Sequence, residues 1–322
     1  CGWVTLCPFA KDDFRQRRSV MLKWPGLPIE DCLQELQQCL SDGDNAVLQA
    51  PPGAGKTTLV PLALLDQPWL AGRRILMLEP RRIATRTAAY RMASLLDESP
   101  GQTVGYRMRL ESKTGPETRI EVITEGILTR MLQRDPLLEE VGLVIFDEFH
   151  ERSLDSDLAL ALCLQGRSVF GEAAGDGCRR LKILVMSATL DTGAVATLLG
   201  DAPVVSSEGR AYPVDVVYSR ARKSDDRTVD RVAATIQRAL QDNPHSSVLA
   251  FLPGQGEIQR CRNVLQDWLS ERRVEGVHLR PLFGNLSIED QQRAINALSG
   301  KEAGDQKVVL ATNIAETSLT ID

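Results

Sequence analysis

APPGAGKTT, Ala50 to Thr58, lies between the apolar run Ala46-Val47-Leu48 and the helix-prone stretch Leu59 to Leu65. The order is strand, glycine-rich loop, helix start. Such a loop holds anionic oxygens with convergent backbone N–H groups, reinforced by the positive end of the following helix. Gly53 and Gly55, on either side of Ala54, supply the backbone freedom that the curl needs. Lys56 brings a positive charge to the β- and γ-phosphates, the hydroxyl of Thr57 suits Mg²⁺, and Thr58 completes the lining. At the first position of the usual pattern Ala50 replaces glycine.

The length of 322 residues suits two domains of ordinary size. Hydrophobic residues make up 43% and charged residues 25%, as in a globular protein, and no run of about 18 apolar residues offers a membrane span. A net charge of −5 excludes a general positive field for nucleic acid, so any such contact must be local. The seven cysteines (Cys1, Cys7, Cys32, Cys39, Cys163, Cys178 and Cys261) form no C-x-x-C pair and have no histidine cluster beside them. Zinc is not expected, and a reduced, cytoplasmic setting is. Residues 1–26 read as an extension that is not native: the chain begins with cysteine, CGWVTLCPFAKDDFRQRRSV lacks a signal-peptide core, and Met21 suits a start. The chain stops at Asp322 with no closing helix, and a fragment is expected.

Along the chain, Leu27, Ile29, Leu33, Leu36 and Leu40 predict an entry helix, and Arg74 to Leu78 a buried strand ending at Glu79-Pro80. The helix that follows carries Arg81, Arg82, Arg86 and Arg91, four positive charges in eleven residues, either a solvated face or a track for nucleic acid. Gly105 to Arg109 and Arg119 to Ile123 read as strands, and a helix begins at Thr124-Glu125-Gly126. In GLVIFDEFHER, Gly142 to Arg152, four apolar residues predict a strand buried on both faces, with acids at its carboxyl end, where doubly wound sheets bind ligands. Asp147 suits Mg²⁺ and Glu148 suits activation of a water, although adjacent acids also suit a helix N-terminus. A further strand, Leu181 to Met186, ends in Ser187-Ala188-Thr189, which taken alone reads as a helix cap before Asp191 to Leu199. Ser206 to Pro213 reads as a linker, after which αβ alternation restarts without a second phosphate loop: helices 226–240, 256–269 and 288–298, and strands 247–252, 277–281 and 308–311.

Taken together, APPGAGKTT, EPRRIA, TEGILTR, DEFHER, SAT, FLPGQGEI and ATNIAETSLTID resemble, in order and spacing, the motifs of superfamily 2 helicases. The set is most similar to the DEAH-box group and its bacterial HrpB branch, over about Leu27 to Asp322. The resemblance implies an α/β fold of the P-loop NTPase type: two RecA-like domains with mainly parallel sheets (27–206 and 214–322, linked by 207–213), the second incomplete. It implies ATP and Mg²⁺ in the cleft between the domains and single-stranded RNA, with DNA possible, across their tops. Lys56, Thr57, Asp147 and Glu148 would form the catalytic centre, and His150, Ser187 and Thr189 would couple it to strand separation. Arg81, Arg82, Thr124, Glu125, Gly126 and Thr312 would touch the nucleic-acid backbone, and Arg91 would stack on adenine. Phe149 replaces the alanine of the name motif, and Ile295 stands where many relatives present an aromatic residue to adenine. The family's motif VI, with its arginine fingers, would lie beyond Asp322, so the chain alone is expected to hydrolyse ATP weakly. Two other classes compete: an ATP-driven conformational switch with a protein partner, and a phosphotransferase.

Overall fold

The computed structural model describes residues 25–171, 180–188, 192–209, 213–218, 228–244 and 246–315. Residues 1–24, Thr189 and the stretch from Glu316 onward, all of which bear on the expectations above, lie outside the described residues. The chain divides into two units, with the boundary after Gly209.

In the first unit a 3-10 turn, Pro28–Cys32, leads into α1 (Leu33–Asp42), β1 (Asn45–Gln49) and α2 (Lys56–Leu64). Next come β2 (Arg74–Glu79), α3 (Arg82–Leu95), β3 (Val104–Met108), β4 (Glu111–Lys113), β5 (Ile120–Thr124) and α4 (Glu125–Arg134). The unit closes with β6 (Val141–Phe146), α5 (Leu154–Gly171), β7 (Lys182–Ser187), α6 (Gly193–Leu198) and β8 (Val204–Ser206). All eight strands form one sheet in the order β4-β3-β5-β2-β6-β7-β1-β8. Only β3–β4 is antiparallel; the other neighbours run parallel.

Alternate residues of the central strands feed two cores, as a sheet covered on both faces requires. Leu48, Ile75, Met77, Ile145 and Met186 pack against Leu36 and Leu40 of α1, Leu59 of α2 and Met92 of α3. Val47, Leu76, Leu78, Phe146 and Val185 pack on the other side against Leu128 and Leu132 of α4, Leu160 of α5 and Ala196 of α6.

The second unit alternates α7 (Thr228–Asp242), β9 (Val248–Phe251), α8 (Gln255–Glu271), β10 (Val277–Leu282), α9 (Ile288–Ile295) and β11 (Gln306–Ala311). Its strands form a parallel sheet in the order β10-β11-β9. Ile236 of α7, Ile258 and Leu265 of α8 and Val308 and Leu310 of β11 make its core.

Five elements differ from the sequence expectations. The entry helix starts at Leu33 rather than Leu27: the segment before it turns more tightly, from Pro28, with the Glu30 carboxylate accepting from the Leu27 N–H at 2.8 Å. Ser206, expected in the linker, belongs to the edge strand β8, too short to show a period. The last helix ends at Ile295 rather than residue 298, because Asn296 is extended (ψ 153°). The long helix α5 and the short β4 had no counterpart in the sequence reading.

Candidate active site

Five parallel strands, β5, β2, β6, β7 and β1, lie side by side, so their carboxyl ends share one edge of the sheet. That edge carries, in order, Thr124, Glu79, Asp147, Ser187 and the loop after Gln49. The sheet's connectivity therefore collects segments up to 137 residues apart in sequence, Ala50 and Ser187, which the Ala50 N–H joins to the Ser187 carbonyl at 3.0 Å.

The loop turns through two left-handed glycines, Gly53 (φ 77°) and Gly55 (φ 96°), and delivers Lys56 as the first residue of α2. Gly55 has no side chain to cap α2, so the first-turn N–H groups that a helix leaves unpaired face the loop. Pro51 carbonyl accepts from the Ala54 N–H at 3.3 Å, and the Gly55 carbonyl accepts from Thr58 N–H at 3.2 Å and from its hydroxyl at 3.4 Å. These bonds fix the curl. Lys56 Nζ donates to Glu148 Oε1 at 2.8 Å, and both side chains are buried, 4% and 8% exposed. Thr57 Oγ1 donates to Asp147 Oδ2 at 2.5 Å. The phosphate loop and the acidic pair thus meet side chain to side chain.

Asp147 is aligned from below and ahead: its N–H donates to the Leu78 carbonyl at 3.1 Å, and its Oδ1 accepts from the Glu148 N–H at 2.8 Å. Glu148 is left-handed (φ 50°), an uncommon state for a residue with a Cβ, and it leads into the 3-10 turn Phe149–Glu151. On that turn His150 Nδ1 lies 3.3 Å from the Ala188 N–H and 3.3 Å from Glu148 Oε2. A single ring nitrogen can serve only one of these neighbours in a given tautomer, accepting from Ala188 or donating to Glu148.

In the sequence Glu79 marks only the end of a strand, but the fold gives it more. It is 1% exposed, its Oε1 has no hydrogen-bond partner among the described residues, and it faces Asp147. Burial, then Asp147 and Glu148, push its carboxyl well above the usual carboxylate range, against the pull of Lys56. Burial and Asp147 likewise raise Glu148, opposed by Lys56 and His150. Burial disfavours the Lys56 ammonium, yet Asp147, Glu148 and Glu79 outweigh it and hold its pKa above the ordinary lysine value. Only the unbroken apolar run Ile75 to Leu78 before Glu79 hinted at this burial.

These residues fit a magnesium–nucleotide group. Three carboxylates surround one ammonium, and the loop supplies first-turn N–H donors for phosphate. Among the described residues no group of three or more His, Cys, Asp or Glu is disposed to hold a metal by itself. Mg²⁺ sites that share their ligands with phosphates and water have that character.

The other predicted residues lie as follows. Arg81 precedes α3 and its Nη2 meets Glu151 Oε2 at 3.2 Å, while Arg82 is exposed with Glu111 Oε2 at 3.5 Å. Arg86 is consumed internally, forked onto Glu111 at 3.0 and 2.6 Å, and so does not extend a cationic track. Arg91 is exposed on α3, nine residues beyond Arg82 and so about 14 Å further along the helix axis. Thr124 ends β5 opposite Glu79, and Glu125 and Gly126 open α4; burial raises the Glu125 carboxyl, with a Ser153 hydrogen bond opposing. Thr312 follows β11 in the second unit, its N–H donating to the Leu282 carbonyl at 3.1 Å, and Ile295 there is buried at the end of α9.

A strand-end phosphate loop bonded to an acidic pair, with a second αβ unit after it, is an arrangement of the P-loop NTPase fold, and the chain belongs to the DEAD/DEAH box helicase family. That family pattern matches residues 32–198, and the helicase conserved C-terminal domain matches residues 231–322. The chain is 50% identical to ATP-dependent RNA helicase HrpB of Escherichia coli (strain K12) over 296 residues, 92% of this chain and 34% of that protein. To ATP-dependent RNA helicase HrpA of the same organism it is 32% identical, over 92% of this chain and 22% of that protein. The crystal structure of the Escherichia coli DEAH/RHA helicase HrpB matches with a TM-score of 0.81 and 49% identity, covering 92% of this chain and 36% of that one. The chain thus spans about a third or less of the length of these relatives. Its architecture is that of two RecA-like domains, as the motif resemblance implied. No helix among the described residues is long and apolar enough to cross a membrane.

Proposed function

We propose that this protein is an ATP-dependent helicase or translocase that acts on single-stranded RNA, with DNA as a possible second substrate. The observation that carries the reading is the paired contact Lys56–Glu148 and Thr57–Asp147, on the sheet edge that also bears Thr124 and leads directly to Arg81. The names of the similar proteins, ATP-dependent RNA helicases, support it. RecA-like domains at 27–206 and 214–322, linked by 207–213, and a cytoplasmic setting belong to the same reading.

In this mechanism Lys56 leaves Glu148 for the β- and γ-phosphates, while Gly53, Ala54, Gly55 and Thr58 hold the loop around them. Thr57 and Asp147 hold Mg²⁺, which when bound neutralises charge on the phosphates. Glu148 takes the proton of the attacking water as the water oxygen bonds to the γ-phosphorus and the bond to the ADP oxygen breaks. His150 then exchanges Glu148 for the Ala188 N–H, and so transmits the state of the site to Ser187 and Thr189. Arg81, Arg82, Glu125 and Gly126, with Thr124 and, in the second unit, Thr312, contact the nucleic-acid backbone, and Arg91 stacks on adenine. Backbone contacts carry little sequence information, so binding is salt-sensitive and weakly base-selective.

The test is ATP turnover by the purified protein with and without poly(U) or single-stranded DNA. Stimulation is expected; turnover indifferent to nucleic acid would favour the switch with a protein partner. The 322-residue stretch assayed by itself is expected to turn over ATP weakly; full nucleic-acid-stimulated turnover by that stretch would contradict this.

A further inference from the structure

We infer that Glu79 is a third acidic anchor of the magnesium site, a positioning residue that acts through the hydration shell of the ion beside Thr57 and Asp147. The inference rests on the reading of the site as a magnesium–nucleotide site. The sheet's register puts Glu79 there: β2 and β6 are neighbours, and the Leu78 carbonyl already receives the Asp147 N–H. The Glu79 side chain is almost wholly buried against Asp147, and its Oε1 has no hydrogen-bond partner among the described residues. A buried acid at a strand end contributes nothing to an apolar core, and an unpaired oxygen opposes folding. Function explains it better than packing does.

Charge supports the same assignment. Glu79, Asp147 and Glu148 all lie close to the ammonium of Lys56, so a divalent cation bound there would meet three carboxyl groups gathered at one strand edge. When Lys56 turns to phosphate, the acids depend on that cation alone. Magnesium keeps several waters and takes one or two carboxylates directly, so a third carboxylate engages it through water.

The test is a magnesium titration of fluorescent ATP-analogue binding to the purified protein and to its Glu79→Gln variant, with thermal unfolding in metal-free buffer as the folding control. Glutamine keeps the shape and hydrogen-bonds Asp147, but removes the charge. We expect the magnesium concentration for half-maximal binding to rise at least fivefold, with the plateau retained and the metal-free unfolding midpoint equal or higher. An unchanged magnesium midpoint in a folded variant would overturn the inference. Should Glu79→Gln fail to fold, Glu79→Asp takes its place, with a raised midpoint expected and an unchanged one overturning it. Nucleotide binding indifferent to magnesium in the unsubstituted protein would instead overturn the reading of the site itself, and the inference with it.

Discussion

Gly55 and Gly53 are both left-handed, yet they differ in what a side chain would meet. A Cβ at Gly55 would lie 2.7 Å from Leu27 Cδ1 and 3.2 Å from Leu27 Cβ, whereas one at Gly53 would meet nothing within 4 Å. Gly53→Ala therefore pays only for its backbone conformation, about 1 kcal/mol. Gly55→Ala adds the clash, and about 2–3 kcal/mol is expected, with weaker nucleotide binding. Thermal unfolding and nucleotide titration of the two variants check the order; equal effects would show that Leu27 does not close the loop. Lys56→Ala should weaken ATP binding about 10- to 100-fold, since it removes hydrogen bonds between charged groups, and an equilibrium titration reads it directly. Lys56, Thr57, Asp147 and Glu148 were legible because loop and strand-end acids each follow a local pattern. Glu79 was not, because its burial depends on β5 and β6 flanking β2, a neighbourhood set by long-range pairing.

At the scale of elements, α3 is tied to the antiparallel β3–β4 pair by one carboxylate. Glu111 receives both prongs of Arg86, the Tyr106 hydroxyl at 2.9 Å and a longer contact from Arg82. The Arg86 hydrogen bond is the main cause holding Glu111 below its ordinary value of 4.5; burial opposes it, and Tyr106 and Arg82 assist. Burial and the Glu111 carboxylate push Tyr106 up to about 12. A depressed carboxylate stabilises the fold above its unfolded pKa, and that stabilisation fades as pH falls through the folded value. Glu111→Ala should then cost about 1–2 kcal/mol at pH 7. Thermal unfolding at neutral and acid pH reads this, and the gap between variant and parent should narrow below about pH 4. A gap that does not change with pH would assign the role of Glu111 to packing alone. The sequence showed four arginines at and along this helix but not that Glu111, on a three-residue strand, would claim Arg86. Strands with an unbroken apolar run, such as β2, β6 and β7, were legible; β4 and β8 were not, because three residues carry too little pattern and owe their existence to their partners.

At the scale of the whole molecule, the proposed binding of an acidic polymer by an acidic chain calls for local contacts. Arg81 and Arg82 lie at the loop end of α3, next to the edge where β2 and β5 finish. Arg81→Ala should weaken single-strand binding about equally for all sequences and lower the salt slope by about one unit, as affinity measurements over a range of salt will show. A loss confined to one base composition would assign Arg81 to base recognition. The parallel sheet explains why motifs dispersed along the chain act together: strands that start on one side all finish on the other, so each strand end adds one component to a single edge. This collection was legible in outline from the alternation of strands and helices, and its order, β5-β2-β6-β7-β1, came only with the fold. In the proposed function this edge hydrolyses ATP with Glu148 as the base. Its most direct test is the rate of ATP hydrolysis by the purified protein and by Glu148→Gln, each with saturating poly(U) and with ATP binding verified. A fall of about 100-fold or more with binding retained is expected; turnover within a few-fold of the parent would remove Glu148 as the base.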